Sequence, residues 1–479
     1  MLAIITILGI FLRVTFINKA EGLWNDEYVS WMVANTPFNQ GFWGEVLKQC
    51  HMPLYYLYLK PFASCGDTIL RLTSLVPSVI SIYVMYLLGK EYSKKIGLLS
   101  ASLTSFLSFL VYYAQEVRFY SLLFLFSAIL LLFTIRFVKN NNKFNLVGLI
   151  VSSLLVIFTH ILGIIFVFFN TLFVLYKNKI YTKKTLAIGS ALVLILLPFF
   201  INVLNKIPYS QWWGKFSYTN VLFLFSDYFS PILTNNVNAP PTFFYNMQLA
   251  VWLTVPTVVA VFAMIFGIKQ NKGITLVSVL YLIVLFIFAI SGKLVFITKY
   301  SIEILPIMIL LVSVGFSRLN KAGLILFALF ISFHFASFFT PYYVTKIFRS
   351  EGHRIVGEIL NTRQPKFVVY TYYASDRFGR YYKGDAIQLY ISKLNRMEYV
   401  NNPTKILDYV PKGESLSIVF LDSVSFLTED YIEKTEVNIP EMFVTFSHIK
   451  NVLTDKVFSE YSNVIEDKIG DWYIITAKK

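Results

Sequence analysis

The chain has 479 residues, 56% of them hydrophobic and only 14% charged, with a formal net charge of +15. A composition this apolar excludes an ordinary soluble globule and points to a protein that lives in a bilayer. The positive balance does not mark a nucleic-acid binder, because no basic block interleaved with aromatics occurs in the sequence.

A helix needs about 20 apolar residues to cross the hydrocarbon. Runs of that character lie at 1–17, 71–89, 96–113, 119–138, 144–159, 161–176, 185–204, 247–268, 273–290, 300–316 and 322–340, which predicts about eleven transmembrane helices. Residues 144–176 exceed one upright helix and are divided at Thr159-His160. The first span has neither a basic leader nor a clear small-residue cleavage site, so it reads as a retained anchor rather than a signal peptide.

Alternate loops carry the basic residues: Lys90, Lys94 and Lys95; Arg136, Lys139 and Lys143; Lys177, Lys179, Lys183 and Lys184; Lys269 and Lys272; Arg318 and Lys321. Short cytoplasmic loops concentrate lysine and arginine, so these five belong inside. Much of the net charge is this topological signal together with attraction to anionic membrane lipid. The same parity places the N-terminus inside and 18–70, 205–246 and everything after 340 outside.

Three outer segments are therefore long enough to carry function. The first, 18–70, has apolar spacing suited to short interfacial helices and holds both cysteines, Cys50 and Cys65. An oxidising compartment permits a disulfide there; a bond and two free thiols both remain open. The second, 205–246, contains Gln211-Trp212-Trp213, read as an interfacial belt or a sugar-stacking platform, and a turn-prone run from Thr234 to Pro241. The third reads as a small α/β domain, with a helix over 350–361 and strands at Phe367–Tyr370, Ser415–Leu421 and Trp472–Thr476. The organisation expected is a membrane domain over 1–340 and an extracytoplasmic domain over 341–479.

The chemistry-bearing residues gather at the outer face. Trp24-Asn25-Asp26-Glu27 stands just after the first span. A carboxylate at the centre of a bilayer costs about 2.5–3.5 kcal/mol, so acids beside the membrane usually have a purpose. Asp26 suits either a base that deprotonates a membrane-surface acceptor or a helix cap. The same face receives His51-Met52-Pro53-Leu54-Tyr55-Tyr56, the turn Gln115-Glu116-Val117-Arg118-Phe119-Tyr120, Thr159-His160 and Lys299-Tyr300. Glu303 lies one helical turn from Lys299 and reads as its i,i+4 partner. Transporters tend to keep ionisable groups near the midplane, so a surface cluster favours an enzyme. No close group of His, Cys and carboxylates has the spacing of a strong metal site.

Taken in order, Trp24-Asn25-Asp26-Glu27, His51-x-Pro53-Leu54-Tyr55-Tyr56, Gln115-Glu116-x-Arg118-x-Tyr120-Ser121-Leu122, Thr159-His160 and Lys299-Tyr300…Pro306 resemble the bacterial GT-C fold polytopic glycosyltransferases. The nearest branch is the one that includes protein O-mannosyltransferases and the lipid A aminoarabinose transferase. The resemblance runs through roughly residues 10–340. Lys299 departs from it, since arginine is expected before the tyrosine; lysine keeps the charge but loses the bidentate fork.

The resemblance implies sugar transfer from a polyprenyl-phosphate donor to a lipid, glycan or protein acceptor, at the outer face of a bacterial cytoplasmic membrane. A polyprenyl phosphate already leaves as an anion, so the reaction needs one base and cations around the phosphate rather than a pair of carboxyl groups. Asp26 is expected as base, with Glu27 as its substitute or orienting partner. Arg118 and Lys299 are expected on the phosphate, with His51, Glu116, Tyr120, His160 and Tyr300 around the donor. Glu116 suits sugar binding, an ion pair with Arg118 or, together with Asp26, a divalent cation. His51 and His160 read as phosphate or metal contacts or as structural histidines, and Arg13 as a lipid-phosphate contact or a snorkelling side chain. Single-displacement inversion follows, as no second nucleophile is apparent. The alternative is a lipid or polysaccharide transporter, or an assembly protein without transferase activity.

Overall fold

A computed structural model describes residues 1–15, 17, 22–48, 52–178, 201, 219–231, 247–291, 298–339, 353–370, 380–390, 403–421, 444–469 and 472–479. The chain divides into two compact units: Met1–Ile17 with Val29–Thr345, and Asn18–Tyr28 with Lys346–Lys479.

The first unit is helical. Its described helices are α1 (Leu2–Val14), α2 (Asn25–Asn35, whose first turn belongs to the second unit), α3 (Phe42–Lys48), α4 (Leu54–Leu59), α5 (Asp67–Lys90), α6 (Lys94–Phe106), α7 (Ser108–Ala114), α8 (Tyr120–Lys139), α9 (Lys143–Thr159) and α10 (Gly163–Asn178). They continue with α11 (Thr219–Phe229), α12 (Met247–Ile268), α13 (Lys272–Ile290), a 3₁₀ segment Thr298–Ile304, α14 (Leu305–Arg318) and α15 (Asn320–Ser337). Local chemistry starts several of them. Ser93 Oγ accepts from the Ile96 amide at 3.1 Å to cap α6, and Asn142 Oδ1 accepts from Asn145 at 2.8 Å to cap α9. Pro77 inside α5 cannot bond the Thr73 carbonyl, and the Tyr58 hydroxyl takes that carbonyl at 2.9 Å instead. Lys60 Nζ donates to Ala34 O at 3.0 Å and Thr36 O at 2.6 Å, closing the end of α2.

Packing separates inner from outer helices. The apolar window of the helix ending at Arg318 is 89% buried and that of α8 is 72%, against 22% for α15. Gly267 and Gly315 let α12 and α14 touch backbone to backbone, since a Cβ at either would meet Leu311 O or Ala263 O at 2.0 or 1.8 Å. The outer helices expose Val258, Leu276 and Ile325, a surface that only lipid solvates well.

Among the described residues six helices are long and apolar enough to cross a membrane, or seven if α6 and α7 count as one bent span. The spans read at 1–17, 144–159 and 161–176 are shorter apolar helices of 13, 17 and 16 residues. The run at 185–204 lies outside the described residues but for Ile201.

The second unit holds a five-stranded sheet in the order β2-β1-β3-β5-β4. Its strands are β1 (Phe367–Tyr370), β2 (Ile387–Tyr390), β3 (Ser415–Leu421), β4 (Ser462–Ile469) and β5 (Trp472–Lys478). β1 is parallel to β2 and β3, whereas β5 is antiparallel to β3 and β4. Side chains alternate between two cores. Val369, Ile418 and Ile475 pack with Leu453 and Val457 of α17 (Val444–Glu460), and Val368, Val419 and Ile474 with Val356 and Leu360 of α16 (His353–Arg363). This unit also takes in 18–28, which the sequence reading places in the first outer loop: Leu23 N donates to the Tyr381 hydroxyl at 2.8 Å.

Candidate functional site

The site in the first unit begins with the turn that joins α7 to α8. Gln115 closes α7 and sends its amide nitrogen to Leu12 O, Arg13 O and Thr15 O at 3.2, 2.9 and 2.7 Å, fastening the turn to the end of α1. The turn is tight, with the Arg118 amide donating to Glu116 O at 2.7 Å. Ser74 Oγ donates to Arg118 O at 3.2 Å, and Arg118 Nη1 donates to Ser30 Oγ at 3.2 Å. Glu116 and Arg118 are both buried.

One ring serves two cations. The Arg118 guanidinium carbon and Lys299 Nζ each stand 5.7 Å from the Tyr120 ring centroid, and Lys299 lies equally far from the Tyr300 ring. Such cation–π contacts hold positive charge in place without neutralising it. Phe119 stacks on His160 at 4.9 Å, and Tyr300 on the same ring at 6.3 Å.

Glu303 supplies a carboxylate that the sequence reading assigns elsewhere. Its Oε1 lies 2.9 Å from His160 Nδ1, and its Oε2 accepts from the Tyr281 hydroxyl at 3.1 Å. Among the described residues these are its partners, in place of the i,i+4 pairing with Lys299. The physical reason is the 3₁₀ segment, broken at Ser301 (φ −116°, ψ 20°). In 3₁₀ geometry positions three apart align, so Glu303 shares a face with Tyr300 rather than with Lys299. Pro306 in the first turn of α14 then starts the regular helix. Behind this segment Thr298 Oγ1 donates to Asp227 Oδ2 at 2.7 Å, and Tyr228 Oη lies 2.8 Å from Ser301 Oγ.

Glu116, Arg118, Tyr120, His160, Lys299 and Tyr300 thus lie on three neighbouring pieces of the first unit. Glu303, Tyr281 and Asp227 were missed as site residues. Their only sequence signal is a polar group inside an otherwise apolar run, which seldom goes without a partner in lipid. Asp26 and Glu27 belong to the second unit. They fall in the first turn of α2, where Glu27 is buried and its Oε2 accepts from the Trp24 amide at 3.2 Å, a helix-entry bond. His51 and Cys50, with Trp212 and Trp213, lie outside the described residues. Arg13 is fully buried and bonded to protein oxygens, which corrects its reading as a lipid contact or snorkelling side chain. Among the described residues no three His, Cys, Asp or Glu side chains converge as metal ligands.

The basic loops gather at the opposite end of the helices. Arg136 Nε donates to Glu91 Oε1 at 2.8 Å, Lys95 Nζ to Ser317 O at 3.3 Å, and Asn178 Nδ2 to Phe137 O at 3.3 Å. The 20 residues of α8 separate this end from Arg118 by about 30 Å.

Residues 55–202 match the family described as dolichyl-phosphate-mannose-protein mannosyltransferase. Among solved structures, ArnT from Cupriavidus metallidurans in the apo state aligns with a TM-score of 0.56 at 10% identity, covering 99% of this chain and 97% of that one. This protein has a GT-C glycosyltransferase fold. ArnT bound to undecaprenyl phosphate aligns over the same share of both chains with a TM-score of 0.52. No curated protein matches the sequence. The GT-C fold and its apolar helices make the chain a membrane protein.

Proposed function

We propose that this protein transfers a sugar from a polyprenyl-phosphate donor to an acceptor at the outer face of a bacterial cytoplasmic membrane. The observation that carries the reading is the pair Arg118 and Lys299, each held 5.7 Å from the centroid of one aromatic ring at the end of the helices remote from the basic loops. Two cations so placed suit a lipid phosphate, and the similar ArnT structure binds one, undecaprenyl phosphate. His160, in stacked contact with Phe119 and Tyr300, lines the same region.

In this reading an acceptor hydroxyl or amine attacks the anomeric carbon as the carbon–oxygen bond to phosphate breaks. The acceptor proton passes to the Asp26 carboxylate, and the polyprenyl phosphate departs with the bonding pair, its charge met by Arg118 and Lys299. One displacement inverts the anomeric centre. A transporter would instead keep its ionisable groups near the bilayer midplane, whereas Arg118 and Lys299 stand at one end of the helices.

The test is release of polyprenyl phosphate from a panel of labelled short-chain polyprenyl-phosphate sugars by the purified protein in nanodiscs. Asp26→Asn preserves shape but accepts no proton, so turnover should fall about 10²–10⁴-fold with donor binding retained. A stable Asp26→Asn protein with near-normal turnover would overturn the assignment.

A further inference from the structure

The bend between α6 and α7 measures 57°, yet neither proline nor glycine lies near it. Without such a residue, a sharp kink arises where side chains enter the i→i−4 ladder. Leu107 leaves the helix at φ −56° and ψ 116°. In an unbroken helix the amides of Ser108 and Phe109 would bond the carbonyls of Thr104 and Ser105. Arg13 takes both carbonyls instead: Nη2 donates to Thr104 O at 2.8 Å and Nη1 to Ser105 O at 2.9 Å. Its Nε donates to Ser78 Oγ at 2.8 Å, which ties the plug to α5.

The other side of the break is filled from α15. The Ser108 amide donates to His334 Nδ1 at 3.2 Å. A ring nitrogen that accepts carries no proton, so the hydrogen sits on Nε2, which donates to Phe229 O at the end of α11 at 3.1 Å. The carbonyl side and the amide side of one break are therefore satisfied by two different helices. α7 spans only seven residues, and Gln115 fastens its far end to α1. This short strut leads directly into the turn that carries Arg118 and Tyr120.

We infer that Arg13 and His334 are positioning residues that hold the break open and so aim Arg118 and Tyr120 at the donor. The functional half of this rests on the reading of Arg118 as a donor ligand. When either plug is lost, the freed amides and carbonyls regain one another, residues 94–114 relax toward one continuous helix, and the turn at 115–119 moves.

Ser108→Pro provides an independent handle. Proline is favoured at the first position of a helix, where the N–H it lacks is here the one given to His334. Leu107 already has the extended ψ that a following proline demands. His334→Leu should lower turnover of a polyprenyl-phosphate sugar about a hundredfold, the loss a ~1 Å misplacement brings. Adding Ser108→Pro should restore most of it, whereas a role in packing alone gains nothing from a proline at that position. His334→Gln, whose amide both accepts and donates, should stay near wild type.

Spin labels at Lys94 and Tyr112, with Cys50→Ser and Cys65→Ser, read the bend without any substrate. Their separation should grow by about 3 Å in His334→Leu and shorten again in the double variant. Should His334→Leu fail to accumulate, recovery of folded protein by Ser108→Pro answers the same question. An unchanged separation in His334→Leu, or a loss that Ser108→Pro does not repair, overturns the inference. If the bend responds as stated but even the wild type cleaves no polyprenyl-phosphate sugar, it is the functional reading that fails and the lock that stands.

Discussion

Glu303 and His160 are 143 positions apart in sequence and meet through a 2.9 Å contact between Oε1 and Nδ1. Both are buried, and the carboxylate's other oxygen is taken by Tyr281. The pair joins the α9–α10 turn to the 3₁₀ segment that carries Lys299 and Tyr300. Removing the carboxylate takes the acceptor from the imidazole and leaves the Tyr281 hydroxyl with only its longer bond to Tyr300 O at 3.3 Å. Glu303→Ala should therefore cost about 1–3 kcal/mol, the cost of leaving a buried polar group without its hydrogen-bond partner. Glu303→Gln keeps one acceptor and should cost less. Thermal unfolding in detergent measures both, and an alanine variant as stable as wild type would show that the pair contributes no net stability.

Arg118→Ala should weaken binding of a short-chain polyprenyl-phosphate sugar about ten- to a hundredfold, since a hydrogen bond to a charged group is worth about 1.5–3 kcal/mol. Turnover should fall as well, because the leaving phosphate gains charge in the transition state. Lys299→Ala should behave alike, and Lys299→Arg should be tolerated, as a guanidinium offers phosphate two parallel donors. Equilibrium binding in nanodiscs decides the matter. Unaltered affinity in both alanine variants would reduce the two cations to structural partners.

Glu91, at the other end of α8, gives a pH prediction. Burial pushes its carboxyl up, but hydrogen bonds and charge from Arg136 and Lys139 outweigh this and hold it below the usual carboxylate value. A depressed carboxylate stabilises the fold above its unfolded pKa, about 4.3 for Glu, and loses that contribution as pH falls through the folded value. The group is partly solvated, so screening limits the effect to about 1 kcal/mol or less. Glu91→Gln should lower Tm slightly at pH 7, with the gap closing as pH drops below 4. A gap that stays constant with pH would argue against the ion pair.

Sidedness follows from the basic loops. A cysteine at Asn39, exposed within the 3₁₀ turn Phe38–Gln40, should react with an impermeant thiol reagent applied outside, and one at Asn141, in the exposed loop between α8 and α9, should not. Cys50→Ser and Cys65→Ser remove the native thiols. The reverse pattern would put the Arg118–Lys299 site in the cytoplasm.

Sequence alone determined where apolar helices lie, which loops are basic, where β1, β3 and β5 run, and that Arg118, His160 and Lys299 sit at helix ends of one kind. All of these follow from sums over neighbouring residues: the length of an apolar run, the charge of a short loop, the alternation of a strand. Tertiary structure alone decided who partners whom. Glu303 turned from Lys299 to His160 because a 3₁₀ segment changes which residues share a face. The helix read over 96–113 broke at Leu107, where no residue of its own breaks helices, because Arg13 and His334 from distant helices compete for its backbone groups. Arg13 looked like a side chain at the membrane surface and lies fully buried instead, because carbonyls freed by a break exist only once the helices have packed. Hydropathy places a side chain at a depth; only packing supplies the donors and acceptors that choose its partner.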